Sequence, residues 1–130
     1  MQPDSEPKTI FVHLYNMVTS RERAFVKLRD VVALDRPVIG VVCGGDGTIM
    51  WVVSEMNKHG IDPMKVPLGV IPLGTGNDFS QYLGWGKEKT TLVENGFKSL
   101  KKLIKKWLVA HKEDFDLWNI KAEIYEVRFP

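Results

Sequence analysis

The sequence predicts an α/β fold built on a parallel sheet. Strand-like and helix-like segments alternate along the chain, and two strand-like runs, Val38-Ile39-Gly40-Val41-Val42-Cys43 and Val66-Pro67-Leu68-Gly69-Val70-Ile71, are almost continuously apolar. Each of these runs leads directly into a glycine-containing loop and then a helix.

The elements follow in chain order. Residues 1–7 hold two prolines among polar residues and read as a disordered tail. Ile10-Phe11-Val12-His13-Leu14 has strand composition, and Ser20 to Ala33 follows with Phe25, Leu28 and Val32 at helical spacing. Arg36-Pro37 interrupts, and the apolar run Val38 to Cys43 then reads as a strand buried on both faces. Gly44 to Gly47 makes a tight turn, and Thr48 opens a helix that keeps Ile49, Val52, Val53 and Met56 on one face and ends near Gly60. Val66 to Ile71 is the next strand, followed by the loop Pro72 to Asp78 and a short helix from Phe79. Thr91 to Val109 has the pattern of a long amphipathic helix with Leu92, Phe97, Leu100, Leu103, Ile104 and Trp107 inward. Phe115 to Val127 alternates like a strand. Right-handed crossovers place both glycine loops at one edge of the sheet, where α/β proteins gather ligands.

A chain of 130 residues, 44 % apolar and 26 % charged, fits one globular domain. It has no apolar run of the roughly 18 residues that a membrane-spanning helix needs, so membrane contact is expected to be peripheral. The single cysteine, Cys43, excludes an internal disulfide, points to an intracellular compartment and reads as a small buried apolar side chain. A net charge of +2 gives no support to a nucleic-acid partner.

In Gly44-Gly45-Asp46-Gly47-Thr48, consecutive glycines after a strand let a bulky anion approach main-chain N–H groups at a helix start, a natural seat for phosphate. Asp46 would repel that anion unless a divalent cation or a hydrogen-bond network intervenes. The bland alternative is a tight turn in which Asp46 caps a helix. Neither a Walker A lysine nor dinucleotide-fingerprint spacing is present. Gly74-Thr75-Gly76-Asn77-Asp78 offers a hydroxyl, an amide and a carboxylate for a nucleotide, or Asn77 and Asp78 merely cap the short helix.

Together, Gly44-Gly45-Asp46-Gly47-Thr48 with Trp51, Pro72-Leu73-Gly74-Thr75-Gly76-Asn77-Asp78-Phe79, Leu83-Gly84-Trp85-Gly86 and Asp116-Leu117-Trp118 resemble the catalytic domain of eukaryotic diacylglycerol kinases, over about Val38 to Trp118. The resemblance implies a three-layer Rossmann-like parallel sheet with helices on both faces, as in the N-terminal domains of NAD kinases and diacylglycerol kinases. It also implies ATP- and Mg²⁺-dependent phosphorylation of diacylglycerol to phosphatidic acid at a membrane surface, by a cytoplasmic protein in peripheral membrane association. By the same resemblance, Gly44, Gly45, Asp46, Gly47 and Thr48 would hold the phosphates, and Gly74, Thr75, Gly76, Asn77 and Asp78 would complete the nucleotide site. Asp46 would be the catalytic residue, within a metal-linked network. Residues 8–118 would form the nucleotide-binding subdomain and 119–130 the start of a β-rich domain, the partner expected to supply the general base, so that this chain alone would be weakly active or inactive. Tyr15-Asn16-Met17-Val18-Thr19 stands where the family usually has Asn-Pro-x-Ser-Gly. A catalytically silent nucleotide-binding module is the second reading. Relatives acting on sphingosine or NAD share the first loop, but Thr75 to Asp78 and Leu83 to Gly86 argue against them.

Lys98, Lys101, Lys102, Lys105 and Lys106 recur at helical spacing opposite the apolar stripe, by default a solvated face. For a kinase whose substrate lies in a bilayer, the same face would lean on anionic headgroups. His13, His59 and His111 lack metal-ligand spacing, Asp114 and Asp116 read as turn residues, and Trp51, Trp85 and Trp107 as core or rim.

Overall fold

The computed structural model describes residues 9–87 and 98–123. The elements are α1 (Arg21–Ala33), β1 (Gly40–Gly44), α2 (Asp46–Lys58), a 3₁₀ turn (Pro63–Lys65), β2 (Leu68–Pro72), α3 (Asp78–Tyr82) and α4 (Lys98–Val109). Among the described residues the sheet has two strands, β1 and β2, paired in parallel from Gly40 opposite Leu68 to Gly44 opposite Pro72.

Strand alternation sets the packing. Val42 and Val70 point to one side and join Phe25 of α1 and Ile49, Val52 and Met56 of α2 in the main core. Ile71 points to the other side and joins Leu103 and Trp107 of α4, with Trp85 edge-on to Trp107 at 6.3 Å. Gly69 lets the indole lie on the strand, since a Cβ there would stand 3.0 Å from Trp107 Nε1. Helices therefore pack on opposite faces of the strand pair, but the wider Rossmann-like sheet is not observed among the described residues.

Several elements differ from their sequence expectation. Ile10 to Leu14 forms no strand and is exposed, Leu14 by 89 %. Its residues favour extended backbone, but a strand exists only through a partner, and among the described residues β1 and β2 pair with each other alone. β1 is not buried on both faces as β2 is, because α4 covers β2 and leaves Val41 and Cys43 exposed. Partial desolvation nevertheless raises the Cys43 pKa, so the thiol is not an activated nucleophile. α2 starts at Asp46 instead of Thr48, since Gly45 already serves as its N-cap. Residues 115–123 contain no strand, and Phe115 instead packs edge-on against Phe79 of α3 at 4.8 Å. The expected tail over 1–7, the start of the long helix over 91–97 and the end of the strand over 124–127 lie outside the described residues.

A charged cluster docks α1 on α2. Glu55 is 3 % exposed and pairs with Lys58 at 2.7 Å and Arg21 at 3.5 Å, while the Arg21 guanidinium lies over Trp51. The hydrogen bond from Lys58 leads the effects that lower the Glu55 pKa. His59 stacks on Phe25 and faces two acceptors, with Nδ1 2.8 Å from the Glu55 carbonyl and Nε2 3.0 Å from the Glu22 carboxylate. Only an imidazolium donates from both nitrogens. The Glu55 carbonyl and then Glu22 raise the His59 pKa. A raised pKa contributes stability that is complete below the ordinary histidine value and is lost as pH rises through the shifted one. Melting temperatures taken upward from pH about 6 should therefore fall more for wild type than for Glu22→Gln; parallel profiles would refute the contact.

Candidate functional site

The parallel register brings Gly44 and Pro72 level, so the loops after β1 and β2 leave the same sheet edge. They are locked together. The Leu73 N–H donates to the Gly44 carbonyl at 3.3 Å, and the Asp46 N–H donates to the Gly76 carbonyl at 3.0 Å. Gly45 and Gly74 meet backbone to backbone, since a Cβ on Gly74 would lie 2.5 Å from Gly45 Cα and one on Gly45 would lie 2.5 Å from the Gly76 carbonyl oxygen.

Asp46 completes the lock. Its Oδ2 accepts the Asp78 N–H and its Oδ1 accepts the Phe79 N–H, each at 3.0 Å. These are first-turn amides of α3, normally left without intrahelical partners. Asp46 is also the first residue of α2, so two helix N-termini stabilise its carboxylate. It caps a helix, as the bland sequence reading allowed, but the helix lies 32 residues further along the chain.

Asn77 occupies the N-cap position of α3 without capping it. Its Nδ2 instead donates to the Gly74 carbonyl at 2.6 Å and the Lys87 carbonyl at 2.7 Å. It therefore ties the second loop to the end of Leu83-Gly84-Trp85-Gly86, a segment folded back on α3 by positive φ at Gly84 and Gly86 and by a bond from the Trp85 N–H to the Ser80 carbonyl. Asn77 is 5 % exposed, and its Oδ1 has no partner among the described residues. No residue type signals this stitching in advance, because Lys87 takes part only through its carbonyl.

Within this frame, the N–H groups of Gly47, Gly74, Thr75 and Gly76 make no hydrogen bond among the described residues. They belong to the two loops at the shared sheet edge, and unpaired main-chain N–H groups in glycine loops are the kind of donor that anions bind. Thr48 and Thr75 add hydroxyls without a partner there, and Asp78 begins α3 beside the lock. All ten sequence-predicted site residues, Gly44 to Thr48 and Gly74 to Asp78, thus lie in or beside one interlocked pair of loops. The Tyr15 to Thr19 segment makes its own turn, with Asn16 Oδ1 accepting from the Val18 and Thr19 N–H groups before α1.

Among the described residues no three His, Cys, Asp or Glu side chains are grouped to hold a cation. A Mg²⁺ ion carried by a nucleotide takes much of its shell from phosphate and water and needs only one or two carboxylates. Asp46 and Asp78 are the carboxylates within these two loops.

Two parallel strands, each leading into a glycine loop at one shared edge, define an α/β domain. The chain belongs to the diacylglycerol kinase catalytic domain family, whose family model matches residues 11–109. It is 44 % identical over 86 residues to probable diacylglycerol kinase 3 of Caenorhabditis elegans, covering 66 % of this chain and 10 % of that protein. Diacylglycerol kinase eta of Mus musculus is 38 % identical over 90 residues, covering 69 % and 7 %, and diacylglycerol kinase 2 of Arabidopsis thaliana is 37 % identical over 91 residues, covering 69 % and 12 %. The matched stretches thus span about a tenth of these relatives' lengths. No solved structure matches the chain significantly.

Proposed function

We propose that this chain is the nucleotide-binding part of an ATP-dependent lipid kinase that converts diacylglycerol to phosphatidic acid. Residues 8–118 belong to that subdomain in this reading, on a Rossmann-like plan of which β1 and β2 are two strands. The observation that carries the proposal is the interlocked loop pair, with N–H groups that have no partner among the described residues, at the carboxyl edge of two parallel strands.

In the reaction, the bond from the γ-phosphorus of ATP to the β,γ-bridging oxygen breaks, leaving ADP. A new bond forms to the primary hydroxyl oxygen of diacylglycerol, whose proton passes to a base outside these loops. The N–H groups of Gly47 and Gly74 to Gly76 bind and orient the phosphates, and positioning with charge stabilisation supplies most of the catalysis in such transfers. Bound Mg²⁺ would neutralise phosphate charge. Asp46 acts mainly as a positioning residue, with two lone pairs spent on α3 and the others available to the cation. No helix among the described residues is long and apolar enough to cross a membrane, and peripheral attachment is the proposed route to the lipid.

Gly47 offers a test that separates ligand from fold. A Cβ there would meet nothing within 4 Å among the described residues, and its φ is not positive, so the packing of those residues does not explain the glycine. Gly47→Ala should leave the fold as stable or stabilise it by up to about 1 kcal/mol. It should weaken Mg·ATP binding about tenfold, a loss of about 1.4 kcal/mol, because the methyl enters the phosphate space. Nucleotide titration with and without Mg²⁺, alongside thermal melts, checks both; unchanged affinity would remove Gly47 from the cradle.

A further inference from the structure

α4 presents two opposite surfaces. Leu103 and Trp107 are buried and Leu100 and Ile104 half-buried against β2 and Trp85, whereas Lys98, Lys101, Lys102, Lys105 and Lys106 are all exposed. The helix contains no acidic residue, and none of its lysines joins a salt bridge among the described residues. Five positive charges therefore stand on one face of a chain whose net charge is +2, so the rest of the chain is net negative. An anionic plane would attract this face and repel the remainder, which fixes an orientation as well as an attraction.

The lysine face is also tipped with apolar groups. Val109 follows Lys105 by four residues and Lys106 by three, placing it on the same face, and it is 85 % exposed beside the exposed Leu108. Shortly beyond, Trp118 and Ile120 are exposed as well. A nucleic acid or an acidic protein would match the lysines and leave these apolar groups in water. A bilayer takes both, with charges at the headgroups and apolar tips at the acyl boundary.

We infer that the lysine face of α4, tipped by Val109, is the surface by which this chain docks on an anionic lipid bilayer. The inference rests on the reading that the chain serves a lipid kinase, and it names where the membrane meets it.

Cosedimentation of the full 130-residue chain with phosphatidylcholine vesicles, without and with phosphatidylserine, tests it. Binding should need the anionic lipid and weaken with added salt. Each Lys→Gln change on α4 should weaken it by about fivefold, and Val109→Asp should weaken it with all five lysines of α4 in place. Lys27→Gln and Lys65→Gln, off the helix, should change nothing. Wild-type binding by the variant with all five α4 lysines changed to Gln, or retention of wild type on heparin without binding to anionic vesicles, would overturn the assignment. Nucleotide titration of the same proteins separates the two readings: intact ATP binding with no vesicle binding sinks the docking surface alone, and vesicle binding without ATP binding sinks the kinase reading alone.

Discussion

Gly74→Ala should lower the melting temperature by about 10 °C, a loss of about 2–3 kcal/mol, and abolish measurable ATP binding. The added Cβ would stand 2.5 Å from Gly45 Cα and 2.7 Å from Gly45 N, so it meets backbone that no rotamer change can move. The loops would have to part. Parting them breaks the bond from the Asp46 N–H to the Gly76 carbonyl and draws α3 away from the Asp46 carboxylate. Thermal melts and nucleotide titration of this variant, beside Gly47→Ala, separate the glycine demanded by packing from the one demanded by ligand. Equal stability of Gly74→Ala and wild type would show that the two loops do not meet as described.

Asp46→Ala and Asp46→Asn should each cost about 2 kcal/mol without any nucleotide present. Alanine leaves the Asp78 and Phe79 N–H groups without their partner, and asparagine turns an NH₂ toward one of them. An aspartate that served only to hold a metal would leave the melting temperature of the nucleotide-free protein unchanged or raise it. Loss of stability in the absence of ATP and Mg²⁺ therefore distinguishes the clamp from a purely metal-linked role. ATP affinity should fall as well, since the loop bearing Gly74 to Gly76 is held by the same bonds.

What the sequence showed was mostly local. The apolar runs ending at Cys43 and Ile71, the glycine loops after them and the inward positions Leu100, Leu103, Ile104 and Trp107 follow from periodicity and turn chemistry, and the structure contains them. What it hid was pairing between distant residues. Ile10 to Leu14 has the composition of a strand, but composition does not supply a partner. The run around Cys43 resembles the run around Ile71, and only the placement of α4 decides that β2 is covered on both faces while β1 is open. Asp46 could be suspected as a cap, yet nothing near it identified α3 as the helix it caps. The sequence offers Asn77 for a nucleotide contact or a helix cap, whereas its amide joins two main-chain carbonyls far apart in the chain, those of Gly74 and Lys87.

The most direct test of the central claim, that the locked loops form a phosphate cradle, is the backbone amide NMR spectrum of the chain titrated with Mg·ATP. The largest shifts should fall on Gly47, Gly74, Thr75 and Gly76, whose N–H groups have no protein partner among the described residues, while Asp78 and Phe79, already bound to Asp46, move less. Saturable binding that leaves those four amides unmoved would contradict the cradle.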